Sequence, residues 1–368
     1  MRVTALMLVG LAGCGEVVGV IPDAPPEVVI DAADAADAAI DAPPDAPPAV
    51  PRLYTISKAF QDNGIATLEV IDLRTSTKIV ALDLPPSTPT SFVVSADGGT
   101  AYIGDVATGQ IRTIDTRTGV QGMPFPVAAV RDLVMTADGG TLYAAAGDTV
   151  AKIDLATRVV TTSAALGQTV YAIALAPGEA RLALIGGGNV LLVRASDVSL
   201  EASLPMTPSG ASNCLAQPFA VAFKGNDRVL TWDSNCDELY QIDPNTRTQL
   251  VASTIVTGRD SGAGGQPTSR LALSAATGLA YAVREDGQIA VINADTKTFL
   301  LVGGFGGTPM AIGASTTGDR MFVPVFQPSG GADQLAVYDT TNSQLQTGAY
   351  VFSPTTLHVV DTAMIVAP

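Results

Sequence analysis

The sequence predicts an all-β protein, a seven-bladed β-propeller built from four-stranded antiparallel blades. Three observations support this fold. A strand-like motif ending in Asp or Asn recurs seven times, further strand-like motifs precede each copy, and the two ends of the chain match parts of one repeat. Short alternating apolar runs broken by Gly, Asp, Asn and Pro are typical of antiparallel strands. Four such strands in every 40–50 residues or so are typical of a propeller blade.

The third strand of each predicted blade gives the number of blades. In the first blade it reads TLEVID at 67–72, and the positions that end it recur 39 to 50 residues apart. These positions are Asp72, Asp115, Asp154, Arg194, Asp243, Asn293 and Asp339, of which Arg194 belongs to an irregular copy. Seven third strands predict seven blades.

The two ends of the chain are predicted to close the ring. The chain enters the first blade at a second-strand motif, LYTIS at 53–57, so this blade lacks its inner strand. The C-terminal segment 353–368 matches 88–105 and can supply that strand, which removes exposed sheet edges. Its last part, AMIVAP at 363–368, also resembles an eighth second strand that would compete with LYTIS. The sequence leaves this choice open.

The recurring Asp and Asn residues are predicted to build turns. In five blades the third strand ends in Asp/Asn-x-x-Thr, and short Asx and Thr side chains bond to nearby backbone amides. The DGG motifs at 97–99 and 138–140 supply the positive φ of a second set of turns. A catalytic or metal role would need these groups to converge, but they recur once per blade around one face.

The N-terminus differs from the rest of the chain. Residues 1–14, MRVTALMLVGLAGC, hold one positive charge and an apolar run well below the roughly 20 residues of a membrane span. The LAGC motif at 11–14 resembles the lipobox of bacterial lipoproteins; the alternative is a buried Cys near an ordinary start. The resemblance implies a signal peptide over 1–13, a lipidated Cys14, and a membrane anchor in the bacterial cell envelope. Gly15 after the Cys favours the outer membrane under the enterobacterial sorting rule.

Residues 14–50 are predicted to form a disordered acidic tether between the lipid and a propeller domain over 51–368. Residues 15–50 carry eight acidic residues and no Lys or Arg, with proline pairs that favour an extended chain. At roughly 3 Å per residue, such a spacer spans on the order of 100 Å. A calcium loop of the EF-hand type would need alternating ligands and a turning Gly, which this run does not have.

The repeat rhythm also resembles a known family. A third strand of the form IDxxT followed by SxDGxxAYI is similar to the YVTN-type repeats of many secreted and surface bacterial proteins, and the resemblance covers about 50–368. It implies the seven-bladed fold and says almost nothing about function.

The loops between second and third strands share one face with the blade-to-blade connections, and propellers of this kind usually bind ligands there. These loops are rich in acids that could bind Ca²⁺ through oxygen ligands; the alternative is a solvated acidic face. The candidates are Asp62, Asp105, Asp148, Asp233, Glu285, Asp286 and Asp333, with Asp237 and Glu238 beside them.

Two cysteines, Cys214 and Cys236, belong to loops of the same blade on this face. With Cys14 carrying lipid, they are the remaining thiols of an exported chain, so we predict a Cys214–Cys236 disulfide. Closing this loop stabilises a fold by about 3 kcal/mol on the chain-entropy model.

Composition and motifs limit the function. A net charge of −15 argues against binding nucleic acid or an anionic lipid surface, and the single histidine, His358, lies in an apolar strand motif. The chain carries no GxSxG, Walker or CxxCH motif. We therefore expect a monomeric, non-catalytic binding module for a protein or glycan. The alternative is an enzyme resembling propeller lactonases or quinoprotein dehydrogenases, with a metal at the channel mouth.

Overall fold

The structure, a computed structural model, describes most of the predicted propeller. The described residues are 51–59, 66–84, 88–209, 218–233, 236–257, 271–274, 276–284, 286–315, 318–327, 333–352 and 357–366. The predicted signal peptide, Cys14 and tether lie outside them. Within this part of the chain, no helix has the length and apolar character needed to cross a membrane.

The first three blades run in chain order. Blade 1 contains β1 (Pro51–Ala59), β2 (Ala66–Asp72) and β3 (Thr77–Asp83). Blade 2 contains β4 (Pro89–Val94), β5 (Thr100–Asp105) and β6 (Gln110–Asp115). Blade 3 contains β7 (Val130–Met135), β8 (Thr141–Ala146), β9 (Thr149–Asp154) and β10 (Val160–Thr162).

The remaining blades follow the same plan. Blade 4 contains β11 (Val170–Leu175), β12 (Arg181–Gly186), β13 (Asn189–Arg194) and β14 (Leu200–Pro205). Blade 5 contains β15 (Ala220–Lys224), β16 (Arg228–Asp233), β17 (Glu238–Asp243), β18 (Thr248–Gln249), a 3₁₀ helix (Val251–Ser253) and β19 (Ile255–Val256). Blade 6 contains β20 (Leu271–Leu273), β21 (Leu279–Val283), β22 (Ile289–Asn293) and β23 (Thr298–Val302). Blade 7 contains β24 (Thr308–Pro309), β25 (Gly313–Ala314), β26 (Arg320–Phe326), β27 (Gln334–Asp339) and β28 (Gln344–Val351), and β29 (Leu357–Val366) follows.

The strands form seven small antiparallel sheets, which confirms the predicted seven-bladed propeller. The inner strands contact one another in the order β29, β4, β7, β11, β15, β20, β25 and back to β29, so the ring is closed. Blade 2 has three strands rather than four. Its outer segment makes isolated bridges such as Ile111↔Phe125, because Pro124 and Pro126 have no N–H to donate to a ladder.

The first and last described strands pair within blade 1, as predicted. Strand β29 pairs antiparallel with β1 from Pro51↔Val366 to Ala59↔Leu357, with a register shift between Ile56 and Ser57. One strand of ten residues thus runs through the segment that resembled an eighth second strand. Residues 363–366 of the AMIVAP segment therefore prolong the inner strand of blade 1, and β1 is its second strand.

The core consists of apolar clusters, most of which span two neighbouring blades. Tyr143 of blade 3 packs with Leu184 and Leu191 of blade 4, for example. At the junction where the ring closes, the cluster comprises Leu53, Ile71 and Leu73 of blade 1 with Phe322, Leu335, Tyr350 and Phe352. Burial of apolar surface between blades is therefore what holds the sheets side by side.

The turns between third and fourth strands have the predicted structure. In all five Asp/Asn-x-x-Thr units the Thr backbone N–H donates to the Asx side-chain oxygen, at 2.8 to 3.4 Å. Four residues after each third-strand anchor, the chain takes a positive φ of 51° to 73°. These residues are Ser76, Gly119, Arg158, Val198, Arg247, Lys297 and Ser343. The predicted positive φ in the DGG turns is also present, at Gly98 and Gly139.

Candidate functional site

The candidate site is the face that carries the second-to-third strand loops and the blade-to-blade connections, here called the ligand face. The opposite face, which carries the Asx turns, is called the turn face. Of the predicted acidic candidates, Asp62 and Glu285 lie outside the described residues. The structure describes the other five, and it places them in four different kinds of environment.

Asp105, at the end of β5, has a fully buried carboxylate. Its Oδ2 lies 2.8 Å from the Arg112 guanidinium. Its Oδ1 accepts the backbone N–H groups of Thr88 and Ala107, both at 3.0 Å, and of Thr108 at 3.4 Å. Burial raises the pKa of Asp105, but these hydrogen bonds and the charge of Arg112 outweigh it and lower the pKa overall. This carboxylate fixes the loop after β5 to the connection between blades 1 and 2.

Asp233 and Asp333 are buried and also accept loop amides. Asp233 ends β16, and its Oδ1 accepts the Cys236 N–H at 3.2 Å. The Tyr240 hydroxyl donates to its other oxygen at 3.4 Å. Asp333 precedes β27, and its Oδ1 accepts the Gln327 N–H at 3.0 Å, which ties the two ends of one loop together. Burial and the charge of Asp233 raise the pKa of the Tyr240 hydroxyl, so it remains a donor.

Asp286 is exposed and pairs with a buried arginine. The Arg284 guanidinium, 5% exposed, lies 2.8 Å from Asp286 Oδ2 and 3.5 Å from Asp237 Oδ2. The same guanidinium donates to the Thr257 carbonyl at 2.6 Å. Burial raises the pKa of Asp286, but the bonds from Arg284 outweigh it and lower the pKa. Arg284 therefore joins the loops of blades 5 and 6 on the ligand face.

Asp148, in the turn between β8 and β9, is also exposed. Two exposed side chains that the sequence pattern did not single out lie near it: Arg131 in β7 and Tyr171 in β11, the latter 40% exposed. Each lies at the start of an inner strand, at the position where the pairing with the second strand shifts register. The adjacent Val170 N–H donates to the Gly147 carbonyl at 2.7 Å, which places β11 beside the Asp148 turn. Arg131, Asp148 and Tyr171 are together called the blade 3–4 surface.

Asp132 is a further residue that the sequence pattern missed. It follows Arg131 on β7 and accepts hydrogen bonds from the Ser91 hydroxyl of blade 2 at 2.8 Å and from the Ile173 N–H of blade 4 at 2.9 Å. Burial raises its pKa to about 6. One carboxylate thus joins the inner strands of three blades. The available signal for it was the charged pair Arg131–Asp132 inside a strand motif, VRDLVM.

The described acids do not form a metal site. Within the described ranges, no three His, Cys, Asp or Glu side chains lie close enough together to hold a metal ion. Asp105, Asp233, Asp286 and Asp333 instead contact backbone amides, a hydroxyl and guanidinium groups. The predicted Ca²⁺ site, which would also draw on Asp62 and Glu285, stays a prediction.

Cys236 lies in the loop after β16 and is 3% exposed. Cys214 lies outside the described residues, so the Cys214–Cys236 pairing stays a prediction.

Comparisons with known proteins bear on the fold. No family model and no curated protein matches the chain. Solved structures do match, among them hydrazine synthase of Kuenenia stuttgartiensis, at 12% sequence identity with a TM-score of 0.62. The match covers 74% of this chain and 89% of that one. In all, 1731 solved chains match, and a likeness this broad and this low in identity shows the propeller fold alone.

Proposed function

We propose that the protein is a non-catalytic binding module whose ligand face contacts a protein or glycan in the cell envelope. The observation that carries the proposal is that the buried polar groups on this face hold its loops in place. Asp105, Asp233, Asp333 and Arg284 are engaged in fixing loops, which gives a rigid frame. On that frame the blade 3–4 surface presents a cation, an anion and an aromatic ring. Rigidly held, chemically mixed side chains are suited to recognition.

The location in the envelope is part of the proposal and rests on the N-terminal motif. Lipid on Cys14 and the acidic tether over 15–50 would hold the propeller away from the outer membrane. Replacing Cys14→Ser in the full chain is expected to abolish labelling by radioactive palmitate and to release the protein from the membrane fraction. Unchanged labelling of C14S would contradict the lipid anchor and leave the binding role of the ligand face untouched.

The binding role is tested with matched surface variants. The full chain is probed against an immobilised glycan panel and by cross-linking to envelope proteins in intact cells. Arg131→Ala and Tyr171→Ala are each expected to weaken the bound complex at least about tenfold, a loss typical of a central interface residue. Arg117→Ala, exposed on the turn face, is the control and should bind as wild type. Equal binding by all three variants would overturn the proposal.

The alternative is a metal-dependent or quinoprotein-like enzyme, and the raised pKa of Asp132 is the observation that favours it, since perturbed carboxylates often act as general bases. The hydrogen bonds from Ser91 and Ile173 favour a structural role for the same group. Turnover of a lactone or alcohol panel that disappears in Asp132→Asn, with folding retained, would establish the enzyme. A rise in Tm with Ca²⁺ and a fall with EDTA would establish the metal; no shift with either would exclude it.

A further inference from the structure

The blades are joined on the turn face by arginine bridges at two junctions. The first residue of β12, Arg181, donates from Nη1 to Asn245 Oδ1 of blade 5 at 2.8 Å. The first residue of β16, Arg228, donates in the same way to Asp295 Oδ1 of blade 6 at 3.0 Å. Both acceptors stand two residues after a third-strand anchor, Asp243 or Asn293. An arginine at the start of a second strand is thus matched by an acceptor in the turn of the next blade.

The junction that closes the ring breaks this rule. The second strand of blade 7 also begins with an arginine, Arg320. In blade 1, the position two residues after the anchor Asp72 holds Arg74, a like charge in place of an acceptor. Arg320 is exposed, and within the described ranges its guanidinium makes neither a hydrogen bond nor an ion pair within 4 Å. This guanidinium has its full set of donors available.

The unmatched arginine lines a cleft between blades 7 and 1. The cleft has a volume of about 200 Å³. Its apolar side is formed by Leu73, Phe322 and Leu335, and its polar side by Arg320, Gln344 and Gln346. The three apolar side chains are almost fully buried, whereas the two amide side chains are exposed.

One acid, Asp339, also lines the cleft, but its oxygens are engaged in its own turn. Oδ1 accepts the N–H and hydroxyl of Thr341, and Oδ2 accepts the Asn342 amide at 3.0 Å. The Thr341 bonds, with a smaller contribution from Arg320, lower the pKa of Asp339. Within the described part of the chain, the cleft therefore combines an apolar wall with a guanidinium that no carboxylate contacts directly.

We propose that this cleft binds a small carboxylic acid with an aliphatic body. The guanidinium of Arg320 offers a forked pair of donors that matches a carboxylate. The amides of Gln344 and Gln346 can donate to the same group, while an aliphatic chain of about five carbons packs against the small exposed edges of Leu73, Phe322 and Leu335. The site lies on the turn-face side of the ring, so it is separate from the proposed binding role of the ligand face.

The test is titration of the full chain with hexanoate, followed by calorimetry or NMR. Saturable binding in the millimolar range or tighter is expected, and hexanamide, which lacks the charge, should bind at least about tenfold more weakly. Arg320→Gln should weaken hexanoate at least tenfold. Equal affinity for hexanoate and hexanamide, or no saturable binding of hexanoate, would overturn the proposal.

A second variant separates loss of the site from loss of the fold. Arg74→Asp places an acceptor where blade 6 has Asp295, so it should engage Arg320, raise Tm by about 1–2 °C and abolish hexanoate binding. Arg228→Gln breaks the blade 5–6 bridge instead and should leave the affinity for hexanoate unchanged. If R74D binds hexanoate as wild type does, Arg320 is not the group that holds the carboxylate.

Discussion

Asp97, Asp105 and Asp115 lie within 19 residues of one another and have distinct roles. Asp97 accepts the Ser95 hydroxyl and the Gly99 N–H, and Asp115 accepts the Arg117 and Thr118 N–H groups, both on the turn face. Asp105 is buried against Arg112 on the ligand face. The sequence alone predicts on which face each of these acids lies. Burial and the ion pair with Arg112 are what make the contribution of Asp105 to stability differ from those of Asp97 and Asp115.

Replacing Asp105→Ala is expected to cost about 3 kcal/mol of unfolding free energy, because the variant loses a buried ion pair and the acceptor of three loop amides. Asp115→Ala, the control on the turn face, removes an exposed acceptor of two turn amides and should cost clearly less than Asp105→Ala. Urea unfolding measures both. Since the pKa of Asp105 is lowered, its contribution is present at neutral pH and is lost in acid, as the pH falls below about 4. Equal costs for the two variants would contradict the structural role of Asp105.

Asp132 should give the opposite pH dependence. Its pKa is about 6 in the fold and about 3.9 in an unfolded chain, so between these values the folded state binds the extra proton. Stability due to Asp132 therefore rises as the pH falls, by about 1–2 kcal/mol from pH 7.5 to pH 5. The Asn side chain of D132N cannot titrate. The unfolding free energy of wild type minus that of D132N should therefore increase by this amount when the pH falls from 7.5 to 5.

The control for Asp132 is Asp148→Asn, at an exposed position. The difference in unfolding free energy between wild type and D148N, measured at pH 7.5 and pH 5, is the baseline for the comparison. If, relative to this baseline, the difference in unfolding free energy between wild type and D132N is the same at the two pH values, burial does not raise the pKa of Asp132.

At the scale of elements, the strands and turns follow from local patterns. Alternation and the Asx motifs depend on neighbouring residues, so the sequence predicts the third strands and their turns at Asp72, Asp115 and Asp154 correctly. The outer segment of blade 2 fails to form a strand because Pro124 and Pro126 interrupt the ladder. The ligand-face contacts could not be predicted, because the partner of Asp132 on blade 4 is 41 residues away in sequence.

The left-handed position of the third-to-fourth strand turns gives a prediction for stability. Ser343 has a φ of 59°, a conformation that costs an L-residue about 1 kcal/mol and costs Gly nothing. Ser343→Gly should stabilise the fold by a few tenths to about 1 kcal/mol. Gly119→Ala should destabilise it by about 1–2 kcal/mol, because its φ is 73° and a Cβ would lie 2.9 Å from Leu82 Cδ2.

Gly122 provides the matched control for this turn. It lies three residues after Gly119, its φ is outside the left-handed region, and a Cβ there would meet Thr113 atoms at an ordinary 3.4 Å. Gly122→Ala should therefore change the unfolding free energy by less than about 0.5 kcal/mol. Thermal or urea unfolding of the three variants measures the ranking; a loss for G122A as large as that for G119A would contradict it.

At the scale of the whole molecule, the seven junctions between blades differ although the blades repeat. Junctions between blades 4, 5 and 6 are bridged by Arg181 and Arg228, and Trp232 of blade 5 donates to the Val283 carbonyl of blade 6 at 3.1 Å. Within the described residues, the junction between blades 7 and 1 lacks an arginine bridge. It is held by its apolar cluster and by the Tyr350 hydroxyl, which donates to Glu69 Oε1 at 3.5 Å. The first and last described strands pair in blade 1, beside this junction, so stability should be sensitive to their loss.

The pairing of β29 with β1 is what makes the ring continuous, and its loss should affect the whole fold. Deleting residues 357–368 removes the inner strand of blade 1, exposes the edge of β1 and separates blade 1 from β4 and β25. We expect a fall in Tm of more than about 10 °C and self-association through the exposed edge, measured by thermal unfolding and size-exclusion chromatography. Deleting residues 1–50 is the control, because it removes a larger part of the chain, 50 residues against 12, but leaves every described strand in place. A monomeric Δ357–368 variant with an unchanged Tm would show that the other six blades and β1–β3 hold the ring without this strand.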